Sequence, residues 1–103
     1  MNLVIVISTD DAETIYNAMR LANLAVKKGD YVSVFMLGKA VLFQQISSDE
    51  FDVMGQINSF EGEFFVWGVC MKAHGIEPSA TCPVGWMEDL YEAIKEADKV
   101  ITF

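Results

Sequence analysis

The chain has 103 residues, the length of one domain, and 52% of them are apolar. Fifteen acidic residues against seven basic ones give a formal charge of −8, which argues against a surface for nucleic-acid phosphates or anionic lipids. No apolar run approaches the roughly 18 residues that span a bilayer, and no signal peptide is recognisable, so we expect a cytoplasmic protein.

The first predicted strand is an unbroken aliphatic run at residues 3–7, typical of a central strand in a parallel sheet. A Ser-Thr-Asp-Asp segment at residues 8–11 follows it, and Asp10 with Glu13 has the spacing of a capping box. Apolar residues then recur at the spacing of one helix face: Ala12, Ile15, Met19, Ala22 and Val26. The sequence therefore predicts a strand followed by a helix that ends near Gly29.

The loop at residues 8–11 lies where flavodoxin-like folds hold the phosphate of FMN. It has no glycine to allow close approach of the backbone, and its two carboxylates would repel a phosphate. We therefore interpret the loop as a helix cap and expect no cofactor.

A strand and two helices are predicted between this first helix and the central apolar run. Residues 31–36 are expected to form a strand parallel to the first, since a full helix connects the two. Residues 39–46 are too apolar all round for an exposed helix, so we expect a short helix covered by another subunit. One more helix is predicted by apolar residues at intervals of three: Phe51, Met54, Ile57 and Phe60.

The apolar and glycine run at residues 64–69 predicts a strand buried on both faces, and it ends directly at Cys70. A thiol there would lie at the carboxyl edge of the sheet, where α/β folds gather their reactive groups. Residues 71–74 are predicted to form one helical turn ended by Gly75. Unpaired N–H groups at the start of that turn would stabilise a thiolate on Cys70, although a small apolar residue packed at a strand end is the alternative interpretation.

His74 lies four residues after Cys70, so a helical turn would place both side chains on one face. The two could form a thiolate–imidazolium pair, or half of a soft-metal site completed by Cys82, Met71 or Met87. The alternative is a partly exposed polar residue near a helix end. No ligand spacing requires a metal, and we expect none.

Residues 77–85 contain both prolines and Cys82, and they predict a loop that roofs a cleft at Cys70. The two cysteines are twelve residues apart, which fits no CxxC or zinc pattern, so we expect free thiols. Residues 86–97 predict an amphipathic helix whose acidic side is solvated, with a basic partner protein as the alternative. Residues 100–103 predict a closing strand.

These elements predict one domain over residues 1–103 with an α/β fold. The order β-α-β-α-α-β-α-β indicates a central parallel sheet whose strands are connected by helices. We interpret the aromatic residues near Cys70 as core, with a ligand pocket as the alternative.

Three segments resemble the DsrE/DsrF/TusD family of small sulfur-relay proteins over nearly the whole chain. They are the first strand with its alanine-rich helix, residues 70–76 (Cys-Met-Lys-Ala-His-Gly-Ile), and the C-terminal stretch 87–103. The resemblance implies an α/β/α sandwich, assembly into trimers, hexamers or related complexes, and a cysteine that carries sulfur as a persulfide. Members that transfer sulfur tend to place this cysteine about eight residues before the glycine, a position held here by Trp67. Cys70 matches the second cysteine of relatives with a CxxC.

Two functional hypotheses follow. In the first, the protein is a homo-oligomeric sulfur carrier that accepts and donates persulfide sulfur at Cys70, with Cys82 as a second thiol and His74 as a thiolate partner. Its partners would be a sulfur-donor and a sulfur-acceptor protein. In the second, it is a non-catalytic oligomeric binding or scaffold protein with incidental thiols.

Overall fold

The computed structural model describes residues 1–79 and 82–103 and contains a five-stranded sheet. Its strands are β1 (Asn2–Ile7), β2 (Tyr31–Met36), β3 (Glu63–Trp67), β4 (Val84–Gly85) and β5 (Lys99–Thr102). They lie in the order β4-β3-β2-β1-β5, and every neighbouring pair is parallel. The predicted parallel α/β fold is confirmed.

Helices cover both faces of this sheet. They are α1 (Ala12–Lys27), a 3-10 helix (Gly38–Leu42), α2 (Phe43–Ile46), α3 (Val53–Asn58), α4 (Gly68–Ala73) and α5 (Met87–Glu96). The main core forms where α1, α2 and α3 meet one face, and a smaller core forms where α5 meets the other. Within the described residues, none of these helices is both long and apolar enough to cross a membrane.

The alternation of β1 explains why its sequence is unbroken and aliphatic. Leu3, Ile5 and Ile7 point into the main core, whereas Val4 packs in the smaller core with Phe35. Because both faces of the strand are covered, the polar residues of a half-exposed strand are absent.

The cap of α1 differs by one residue from the predicted capping box. Asp11, rather than Asp10, is the N-cap, and its carboxylate accepts hydrogen bonds from the Thr14 backbone N–H (2.9 Å) and hydroxyl (2.7 Å). These two bonds stabilise the charged form and lower the pKa of Asp11. Gly29 ends the helix region with φ of +93°, a conformation that glycine adopts without strain.

Strand β3 ends earlier than predicted, at Trp67, and Gly68 begins α4. The predicted strand over residues 64–69 therefore extends two residues too far at its carboxyl end. A Cβ at Gly68 would lie 2.6 Å from the Trp86 ring, so only a glycine allows this close contact where the chain turns from strand to helix.

The segment at residues 77–85 was expected to be loop throughout, and its last part is instead strand β4. Val84 and Gly85 pair with Val66 and Trp67, and the Val66 N–H donates to the Pro83 carbonyl at 2.8 Å. Pro83 contributes only an acceptor, so its missing N–H does not prevent pairing at this edge of the sheet. Residues 80 and 81 lie outside the described residues.

Residues 39–46 form the expected helical segment, but the chain itself covers most of its apolar side chains. Ala40, Val41 and Phe43 are buried, and the Phe43 ring packs edge-on against Phe64 with centroids 5.5 Å apart. The premise that one chain cannot hide these apolar residues is therefore wrong, because the main core already does so, and burial of the segment in an oligomer stays a prediction.

A candidate thiol site at the carboxyl edge of the sheet

Cys70 lies in the first turn of α4, three residues after the end of β3. Since β2 and β3 are parallel neighbours, the residues that follow both strands meet at the same edge. The Gly38 backbone N–H, which follows β2, donates to the Cys70 sulfur at 3.2 Å. Cys70 is thus at the carboxyl edge of the sheet, as predicted, although it belongs to a helix and not to the strand end.

Gly38 is suited to this role by its place and its conformation. It is the first residue of the 3-10 helix, so its N–H has no carbonyl partner within that helix. Its φ of +54° is in the left-handed region that glycine adopts most readily, and a Cβ there would lie 3.5 Å from the Ser8 carbonyl oxygen. A side chain would therefore fit in the available space, so it is the backbone conformation that favours glycine at this position.

The hydrogen-bond donor at Cys70 differs from the one expected. Donors were predicted within the turn that follows Cys70, whereas the donor observed is 32 residues away, at Gly38. Sequence reasoning missed Gly38. The signal was present, because Gly38 stands soon after the second predicted strand, and parallel strands bring such residues to one edge.

The Cys70 side chain is partly exposed and packs along the main core. It therefore combines features of both interpretations, an apolar contact on one side and an accessible sulfur with a polar donor on the other. Chemically, sulfur in this setting can accept the Gly38 N–H bond as a thiol, and more strongly when it carries negative charge.

His74 follows α4 directly, and its backbone N–H donates to the Cys70 carbonyl at 3.0 Å. The predicted four-residue helical relation thus exists in the backbone. The imidazole is exposed, and no hydrogen bond joins it to the Cys70 sulfur among the described residues. In that part of the chain, no group of three or more His, Cys, Asp or Glu side chains is arranged to hold a metal ion.

Cys82 has the opposite surroundings. Its side chain is fully buried in the main core, and its backbone forms a two-bond bridge with Ser79, at 3.1 and 3.3 Å. Burial raises the pKa of the Cys82 thiol, because the core would not solvate a thiolate. Both cysteines are free, as the sequence predicts.

A cleft of about 290 Å³ lies on the other side of α4 from the Gly38 contact. It is lined mainly by α4, by Glu77 and Pro78 of the following segment, and by Trp86. The α4 side contributes Gly68, Met71 and Lys72, which share one helix face, whereas Cys70 projects from another. The expectation that Cys70 lies inside this cleft is corrected accordingly: Cys70 lies beside it.

Of the aromatic residues around Cys70, three pack in the core and one lines a cleft. Phe64 packs on Phe43 in the main core, Phe65 stacks on Phe35 with centroids 4.8 Å apart, and Trp67 packs in the smaller core. Trp86 is more than half exposed and lines the cleft.

Comparison with known proteins supports the fold and its family. The sequence model of the DsrE/DsrF-like family matches residues 1–103. The crystal structure of the ychN protein from E. coli is similar, with a TM-score of 0.82, 19% sequence identity and coverage of 100% of both chains. No curated protein sequence matches significantly.

Proposed function

The chain belongs to the DsrE/DsrF-like family, whose members are generally sulfur-relay components, and on this premise we propose that it carries sulfur as a persulfide on Cys70. The observation that carries the proposal is the 3.2 Å hydrogen bond from the Gly38 N–H to the Cys70 sulfur. This bond places a fixed donor at a partly exposed thiol, at the edge of the sheet where ligands of α/β folds gather.

In the proposed reaction, the Cys70 thiolate attacks the outer sulfur of a persulfide on a donor protein. The donor's S–S bond breaks, a new S–S bond forms at Cys70, and the donor cysteine leaves as a thiolate. Delivery repeats the exchange: an acceptor thiolate attacks the outer sulfur and the Cys70 thiolate leaves. No external oxidant or reductant is required, since each step exchanges one S–S bond for another.

The Gly38 N–H contributes at both ends of this cycle. Negative charge is on the Cys70 sulfur just before it attacks and just after it leaves, and a backbone donor stabilises that charge without having to move. We assign the carrier role to Cys70 alone. The burial and raised pKa of Cys82 favour a structural thiol, and the exposed imidazole of His74 makes no hydrogen bond to the Cys70 sulfur among the described residues.

An apolar surface on α5 supports the homo-oligomer expected from the sequence. The same surface favours the alternative function, a non-catalytic scaffold. We define the α5 apolar surface as Trp86, Met87, Tyr91 and Ile94, all of which are exposed. Met87, Tyr91 and Ile94 follow one helical stripe, which lies beside the stripe that Leu90 buries on the sheet. Side chains of this size at 44% to 63% exposure are typical of an interface, and we propose a second copy of the chain as its occupant.

The carrier function is tested by intact-mass spectrometry after incubation with a cysteine desulfurase and cysteine, and in parallel with inorganic polysulfide. We expect the wild type to gain the mass of one sulfur atom, the Cys82→Ala variant to gain the same, and the Cys70→Ser variant to gain none. Sulfur found on Cys82, or an unchanged gain in Cys70→Ser, would contradict the proposal. No gain from either donor, with Cys70 still open to a thiol reagent, would favour the scaffold function.

A further inference from the structure

A second groove, of about 360 Å³, lies between α5 and the face of the sheet that α5 covers. Tyr31 and Glu63, the first residues of β2 and β3, line one end of it, so this end lies at the amino edge of the sheet, opposite the edge that holds Cys70. Five carboxylates line this groove: Glu63, Glu88, Asp89, Glu92 and Glu96. No lysine or arginine does so among the described residues, and we call it the acidic groove.

Two of the five carboxylates have partners in the fold. Glu63 accepts a hydrogen bond from the Tyr31 hydroxyl, and Asp89 accepts one from the Trp86 backbone N–H at the start of α5, at 2.7 Å. For Glu88, Glu92 and Glu96, no hydrogen bond or ion pair exists within residues 1–79 and 82–103. These three are spaced four residues apart on one helix face, where like charges destabilise an isolated helix. Glu88, in the first turn of α5, is favoured by the helix dipole, whereas the fold alone gives no reason for Glu92 and Glu96.

An unpaired hydroxyl lies at the floor of the groove. Ser33 is only 3% exposed, and no hydrogen bond of the described residues involves its hydroxyl. Every fully enclosed side-chain oxygen or nitrogen in that part of the chain has a partner, so the Ser33 oxygen opens onto the groove that it lines. Its neighbour across the sheet is Glu63, which projects from the same face. The Ser33 oxygen and the Glu63 carboxylate both face the groove, so the pair offers two acceptors to one hydrogen-bond donor.

The rest of the floor is apolar. Phe65, stacked on Phe35, and Ala93 of α5 line the groove between the carboxylates. A ligand that fits these surroundings has ammonium groups joined by hydrocarbon, because its charges would meet the carboxylates while its methylene groups pack on the floor. A compact metal ion fits poorly, since no group of three metal-ligating side chains comes together in the described residues.

We propose that the acidic groove binds a linear aliphatic polyamine, extended along α5. Four residues of helix rise about 6 Å, which is the step between successive carboxylates of the row. Amines joined by three or four methylene groups are about 5 to 6 Å apart when extended, given bonds near 1.5 Å. One terminal ammonium group would donate to the Ser33 oxygen and Glu63, and the others would pair with the Glu88, Glu92 and Glu96 row.

The test is calorimetric titration of the full chain with spermidine at low ionic strength. We expect one binding site, and a dissociation constant about two- to fivefold larger for Glu92→Gln and again for Glu96→Gln. Glu50→Gln makes the same change of charge at an exposed residue outside the groove and should bind as the wild type does. Ser33→Ala, which retains all the charges, should also weaken binding. Spermidine should raise the melting temperature of the wild type and Glu50→Gln more than that of Glu92→Gln.

Three results would overturn the proposal. If Glu50→Gln and Glu92→Gln weakened spermidine binding equally, spermidine would be attracted only by the overall negative charge of the protein. Competition by Mg²⁺ at the same concentration as spermidine would show a site for any compact cation. Binding of a lysine-rich peptide that depends on Glu92, with no binding of spermidine, would instead identify a docking surface for a basic protein.

Discussion

The two cysteines illustrate how local surroundings decide the chemistry of one side chain. Cys70 has a backbone donor and a path to solvent, whereas the Cys82 side chain is fully buried in the main core and has no polar side-chain partner among the described residues. The thiolate is the reactive form of cysteine, and a core that raises the pKa of Cys82 suppresses that form. The two thiols should therefore react very differently with the same reagent.

We predict that a maleimide or disulfide reagent modifies Cys70 in the folded protein at neutral pH and reaches Cys82 only on unfolding. Comparing Cys70→Ser with Cys82→Ala separates the two sites. If Cys70 reacts only in denaturant, it is a core residue and the carrier function should be abandoned.

The raised pKa of Cys82 also predicts a pH dependence of stability. In the unfolded chain the thiol ionises near its usual value of 9.0, whereas the folded protein keeps the proton to higher pH. The stabilisation that the protonated Cys82 thiol gives to the folded protein is thus complete below the pKa of the unfolded state. It is lost as the pH rises through the pKa of the folded state. Urea unfolding at pH 7 and pH 10 should show a larger loss of free energy for the wild type than for Cys82→Ala, and parallel losses would refute the assignment.

At the scale of elements, the helical segment at residues 39–46 connects the thiol site to the core. The segment directly follows Gly38, whose N–H donates to Cys70. It includes Phe43, which packs against Phe64 of β3. The packing of Phe43 on the strand that leads into α4 holds both partners of the Gly38–Cys70 contact to the same edge. Stability and site geometry are therefore coupled through this segment.

We predict that Phe43→Ala lowers the free energy of unfolding by about 3 to 5 kcal/mol, since a fully buried ring is replaced by a cavity. Gln45→Ala, at an exposed position in the same helix, should change it by less than about 0.5 kcal/mol. Chemical denaturation measures both. If Phe43→Ala left the free energy of unfolding unchanged but altered the oligomeric mass, residues 39–46 would form a subunit interface and the prediction would fail.

At the scale of the whole molecule, exposed apolar groups and acidic groups both concentrate on α5. One stripe of α5 anchors the helix through Leu90, the next presents the α5 apolar surface, and the Glu88, Glu92 and Glu96 row faces the acidic groove. The thiol site lies at the opposite edge of the sheet from the Tyr31 end of that groove. The apolar contacts proposed for assembly and the α5 carboxylates of the acidic groove thus lie on different stripes of the same helix.

We predict a homo-oligomer in which the α5 apolar surface is buried, because the burial of these large exposed side chains would outweigh the repulsion between chains of net charge −8. Light scattering at micromolar concentration should give a multiple of the 11.5 kDa chain mass. Ile94→Lys should shift the mass toward the monomer, whereas Leu24→Lys, at a similarly exposed position on α1, should not. A monomeric wild type, or an equal effect of both variants, would rule this interface out.

The sequence by itself determined the parallel sheet, the helices and the position of Cys70 near the carboxyl edge. These follow from aliphatic runs and helical periodicity, signals that each residue carries locally. Only the tertiary structure decided that Gly38 donates to Cys70, that Ala40, Val41 and Phe43 are covered from within, and that residues 84 and 85 pair as a strand. The physical reason is that such contacts join residues far apart in the chain, and strand order determines them. A short edge strand is also paired through its backbone, which leaves little trace in side-chain pattern.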